Sequence, residues 1–200
     1  MRAWQHWYHI TIGTYGTWLP GDPRGWREKD HRLHVEGDYK KPPVRTDFAT
    51  AKHANAKQLM KHAPYIIKTE DKAAIGDLVL KSLTHQQIPV STVAVSTINI
   101  HLLVQCKRDN PKPVAGNVKR QITFAMASVI DPTTSARQPM FEIECGAKPI
   151  RDLAHGKRAH RYILDHAKKE NAWVWSHRQD DVLSTGPRRI ATGLSARGGG

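Results

Sequence analysis

Residues 91–106 read STVAVSTINIHLLVQC, a stretch rich in β-branched side chains and without helical spacing of its apolar positions. Such a stretch has to be strand, and strand this apolar has to be buried by the rest of the chain. Strands usually run about 5–6 residues, so the segment predicts two short strands meeting near Ser96, or one long bent strand. From Ile98 onward, Ile98, Ile100, Leu102 and Val104 fall on one face, and Asn99, His101, Leu103 and Gln105 on the other. The first face is core. The second sets Asn99 beside His101, so their polar tips can converge on one ion or one phosphate oxygen. A single strand histidine is also a common structural residue, and the strand alone does not decide between the two.

The flanking sequence supplies the partners that such strands need. Tyr8, Ile10 and Ile12 alternate with His9 and Thr11, predicting a first strand with one apolar and one polar face that ends at Gly13. Residues 14–47 are dense in Gly, Pro, Trp and charge and predict a loop-rich insertion. Helices are expected over 48–62, from a cap at Thr69, Glu70 and Asp71 to about Gln87, and from Pro113 to about Ser128. MFEIECG at 140–146 is a short strand candidate. Residues 152–171 form the clearest helix, with Ala159, Tyr162, Ile163, His166 and Ala167 recurring on one face. The Gly-rich basic tail at 179–200 is expected to be disordered. This order predicts one α+β domain over residues 1–178: a ferredoxin-like antiparallel sheet with helices packed on one face and the other face open to a ligand.

Charge narrows the kind of ligand. Subtracting 18 acidic from 31 basic residues leaves +13, spread along the chain and not gathered on one amphipathic stripe. That favours a nucleic acid over a membrane surface. Neither cysteine sits in a CxxC, and His31, His34, His53 and His62 lack zinc-site spacing, so no zinc site is indicated. Nothing in the sequence approaches the ~18 consecutive apolar residues of a membrane span, and a cytoplasmic, nucleoid-associated protein is expected. Lys119, Arg120, Arg158 and Arg161 are candidate phosphate contacts, and Trp18 is a candidate base-stacking platform. A solvated face and a core tryptophan are the bland readings of the same residues.

Tyr162 and His166 stand four residues apart and so share a helix face. A phenol is a poor nucleophile at its normal pKa of ~10, and a divalent ion held beside it helps by polarising a scissile phosphate. A core tyrosine beside a surface histidine would give the same spacing.

NIHLLVQC, followed later by RYILDHAKKENAWVW and preceded by YGTWLPGDPRGW, resembles the signature blocks of the REP-associated tyrosine transposases and their single-tyrosine HUH relatives. In that family the core strand reads His-x-His and then Leu-Leu-Val, which Asn99, Ile100, His101, Leu102, Leu103 and Val104 match with one change, at Asn99. The family's nucleophile matches Tyr162, and its third metal ligand, commonly Gln, Asn or His four residues on, matches His166. The resemblance implies a transposase-type nuclease that binds a DNA hairpin, cuts single-stranded DNA beside it, keeps the 5′ phosphate on Tyr162 and frees a 3′ hydroxyl. It also implies Mg²⁺ or Mn²⁺ held by His101, His166 and Asn99, the amide oxygen being a neutral ligand that hard cations accept. A silent hairpin-binding module of the same ancestry, and an RNA-binding ferredoxin-like protein, remain as alternatives. Monomer and homodimer are both open.

Overall fold

The computed structural model describes residues 5–24, 26, 47–127 and 138–177. Most of the loop-rich insertion and the expected disordered tail therefore lie outside the described residues. The strands are β1 (Trp7–Gly13), β2 (Val90–Val95), β3 (Asn99–Gln105), β4 (Gly146–Pro149) and β5 (Trp173–Ser176), and the helices α1 (Asp47–Gln58), α2 (Lys72–His85), α3 (Lys112–Met126), α4 (Leu153–Leu164) and α5 (His166–Glu170). The strands form one sheet in the order β4-β1-β3-β2-β5, with every neighbouring pair antiparallel. The first four stand in the ferredoxin-like order, and β5 extends the edge beyond β2.

Side-chain alternation fixes the register. Ile10 faces Leu102 and Ile12 faces Ile100 across the β1–β3 ladder, so one face of the sheet is an unbroken aliphatic surface. Ile75, Val79 and Leu83 of α2 and Val114, Val118 and Ile122 of α3 recur at helical spacing and join the same buried cluster. These two helices cover that face. The opposite face, expected to be open, carries a smaller cluster in which Ala159 and Ile163 of α4 meet Trp7, Ala94, Leu103 and Ile150. Trp7, 4% exposed, thus belongs to the core.

Two elements depart from the sequence-based expectation. The strand expected at 140–146 begins only at Gly146; upstream, a single bridge joins Phe141 to Thr14. Consecutive Met140 and Phe141 are both buried while Ile143 is 95% exposed, which is not the alternation that a continuous ladder needs. The helix expected to run unbroken over 152–171 divides at Asp165 into α4 and α5. Its end is set by Asn171, in the left-handed conformation at φ 48°. The buried ammonium of Lys72 donates to the Asn171 carbonyl at 2.9 Å, satisfying a carbonyl at the helix terminus.

Behind that turn, Trp173 lies on Gly76 of α2 so closely that a Cβ there would meet the indole carbons at 2.3 Å. Gly76→Ala is therefore expected to overpack this contact and lower stability by about 1–3 kcal/mol, read as a drop in urea midpoint with an unchanged slope. No helix among the described residues is long and apolar enough to cross a membrane.

Candidate active site: a tyrosine edged by three imidazoles

On the face covered by α4, the register stacks polar side chains in rows. Thr11 pairs with His101, and His101 with Ala94; one step along, His9 pairs with Leu103. β1 and β3 thus place His9, Thr11 and His101 together, and α4 and α5 bring Tyr162 and His166 over them. The His101 and His166 rings stack with centroids 4.4 Å apart and an interplanar angle of 26°. Tyr162 stands edge-on to all three imidazoles, with centroids 4.9 Å from His166, 5.7 Å from His101 and 5.6 Å from His9. Tyr162 is 44% exposed, while His101 and His166 are only 4% and 5% exposed. The cluster therefore has a dry floor and a phenol at its mouth.

The helix carrying Tyr162 is held in place from below. His160, almost fully buried, lies with Nδ1 3.0 Å from Ser91 Oγ and Nε2 3.3 Å from Ser176 Oγ. One imidazole thus links α4 to β2 and to β5. At the start of the helix, the Asp152 carboxylate accepts from the His155 backbone N–H at 2.7 Å, an N-cap that leaves one fewer open donor.

Burial sets the protonation of the floor. It pushes His101 down to about 3, with the neighbouring His166 and His9 adding to the shift, and it pushes His9 down to about 4, helped by Lys148, His166 and His155. Both rings are neutral at physiological pH and so have a lone pair to offer. His101 Nδ1 has two neighbours, His9 Nε2 at 3.1 Å and Thr11 Oγ1 at 3.2 Å. The other nitrogen of His101, and both nitrogens of His166, are buried without a hydrogen-bond partner. The Glu170 carboxylate stands 3.1 Å from His166 Nδ1 but outside hydrogen-bonding alignment. A buried polar atom left unpaired costs about 1–3 kcal/mol, so these three nitrogens would gain from any ligand that paired with them.

The residues expected from the sequence divide into two groups. Tyr162, His101 and His166 are brought together. Asn99 shares their sheet face but turns its amide oxygen to Ser96 Oγ at 2.8 Å, within the β2–β3 turn. Arg158 and Arg161 are exposed on α4, Arg158 one turn before Tyr162 and on its side of the helix. Lys119 and Arg120 lie on α3, which covers the opposite face, and Lys119 donates to the carbonyls of Glu142 at 2.9 Å and Ile143 at 2.7 Å. Trp18 is 43% exposed with the Arg24 guanidinium 4.8 Å over its ring. His9 was not expected; its signal was the polar alternation of β1, which placed it on the same side as Thr11.

Comparison with protein-family models, with curated proteins and with solved structures found no match. Among the described residues, no three His, Cys, Asp or Glu side chains are arranged to hold a metal ion. The unpaired nitrogens of His101 and His166 do suit a cation that draws its remaining ligands from elsewhere.

Proposed function

We propose that this protein is a metal-dependent, single-strand DNA nuclease or strand transferase of the single-tyrosine HUH type, acting at hairpin-flanked sites through Tyr162. What carries the reading is the half-exposed phenol edged by imidazoles, two of which have buried nitrogens without partners. His101 and His166 would hold Mg²⁺ or Mn²⁺, with water and a phosphate oxygen as further ligands, and the Asn99 amide would join them only on leaving Ser96. Bound there, the cation would polarise the scissile phosphate and offset its developing charge.

The side chains supply the rest. The Tyr162 oxygen bonds to phosphorus as the bond from phosphorus to the 3′ oxygen breaks. The phenolic proton is lost and the departing oxygen takes one up, leaving a 5′ phosphotyrosine and a free 3′ hydroxyl. Arg158, exposed one turn before Tyr162, is placed to contact the phosphate backbone, and Arg161 lies on the same helix. The excess of 13 positive charges favours the polyanion over other partners.

The test is to incubate the protein with 5′-tailed single-stranded DNA hairpins and Mn²⁺ and to look on a denaturing gel for a covalent protein–DNA adduct. An adduct is expected; its absence where hairpins are bound would overturn the nuclease reading. A second reading, a silent hairpin-binding module, is favoured by the engagement of Asn99 with Ser96 and by the lack of a three-ligand set among the described residues. Both readings expect affinity to fall steeply with salt, and Arg158→Ala is expected to reduce the slope of log affinity against log salt by about 1. Titration at several salt concentrations measures it; an unchanged slope would remove Arg158 from the interface.

A further inference from the structure

We propose that His9 is a positioning residue: it accepts the Nδ1 proton of His101 and so keeps the His101 Nε2 lone pair available to a divalent cation. The inference rests on the cation reading given above. It starts from an asymmetry in the His101 ring. Nδ1 has His9 Nε2 at 3.1 Å and Thr11 Oγ1 at 3.2 Å, while Nε2 is buried with no partner.

A neutral imidazole carries one proton, on one nitrogen or the other. Placed on Nε2, it would be a buried donor with no acceptor. Placed on Nδ1, it is donated to His9, and Nε2 keeps the lone pair that a metal requires. Thr11 does not select between these forms, because a hydroxyl donates as readily as it accepts. The His9 nitrogen also takes either role, so the form is set at the other end of the ring, where a proton on buried Nε2 would have no acceptor. With the proton on Nδ1, His9 Nε2 is there to accept it.

The backbone makes this contact dependable. His9 and Thr11 lie two apart on β1, and Thr11 pairs directly with His101, so His9 reaches His101 along the diagonal of the ladder. The chain has particular use for such a residue. With Asn99 where a histidine would supply a second strand nitrogen, and with its amide oxygen engaged by Ser96, the strand's metal affinity rests on how well His101 is aimed.

The experiment uses the full chain, with Mn²⁺ affinity read by calorimetry and the His101 ring tautomer read by ¹⁵N NMR on metal-free protein. Metal-free wild type is expected to show the Nδ1–H form of His101. His9→Ala is expected to weaken Mn²⁺ binding by about 10- to 100-fold and to mix the tautomers. His9→Gln, whose amide oxygen can accept the same proton, is expected to restore most of the affinity. If His9→Ala does not fold, His9→Phe keeps a ring without the acceptor and carries the same expectation. Wild-type affinity in His9→Ala or His9→Phe, with binding lost in His101→Ala, would overturn the role of His9 and leave the cation site standing. Binding unaffected by His101→Ala, or none in wild type, would overturn both. An Nε2–H signal for His101 in metal-free wild type would also overturn the proposal.

Discussion

Tyr162→Phe is expected to bind a 5′-tailed DNA hairpin as wild type does and to form no covalent adduct with it. The substitution removes one oxygen and keeps the ring, so the edge contacts with His9, His101 and His166 survive. The fold should be indifferent, because the ring sits at the mouth of the cluster and not in either core. The chemistry should not be, since a phenyl ring has no nucleophilic oxygen to attack phosphorus. Loss of a nucleophile costs on the order of a thousandfold or more in rate, which on a denaturing gel is loss of the slow-migrating band. Tyr8 is no substitute: it lies on the other side of β1 from His9, and its hydroxyl donates to Asp109. An adduct persisting in the Phe variant would show that another residue is the nucleophile, while loss of binding would show that the hydroxyl holds DNA.

Acidification is expected to begin destabilising the metal-free protein near pH ~6.5, above the pH at which carboxylates titrate. His101 and His9 are held near 3 and 4 in the folded state, and burial lowers His160 in the same direction. In the unfolded chain all three titrate near 6.5. Well above pH ~6.5 neither state binds these protons, so there the histidines contribute nothing to the pH dependence. As pH falls through 6.5 the unfolded chain takes up protons that the folded rings refuse, and stability declines by about 1.4 kcal/mol per pH unit for each such histidine. For His9 and His101 the loss continues until their folded pKa values are reached. Urea unfolding at stepped pH should show a fall of several kcal/mol between pH 6.5 and 4, against a total stability of about 5–15 kcal/mol for a domain of ordinary size. His101→Leu should flatten the slope by one histidine's share. A flat profile in wild type would mean that the imidazoles charge without cost.

How far the sequence foretold this can be judged residue by residue. The central hairpin was legible because β-branched alternation with a break at Ser96 admits few other readings, and β2 and β3 meet there. β5 was not: WVWS carries no clear period, and it becomes a strand because β2 offers an open edge and Gly76 leaves room for Trp173. The position of α4 was also hidden, since Ala159 and Ile163 mark a buried stripe without saying which face of the sheet receives it. In the site, Tyr162, His101 and His166 could be grouped from spacing and family resemblance. His9 could not, because its nearness to His101 arises from the pairing of β1 with β3 across some ninety residues of chain. Lys119 shows the converse: its charge suggested phosphate binding, and its partners turned out to be two backbone carbonyls.

The origin of the four cluster residues has a temporal consequence. One comes from the first strand, one from the middle of the chain and two from the end of the described fold, and no local segment holds more than two of them. Contacts so distant in sequence close late, after loop entropy has been overcome. During synthesis, the phenol leaves the ribosome long after both strand histidines and finds them only when α4 settles on the sheet. Completion of the fold is therefore the step that brings the phenol to the imidazoles.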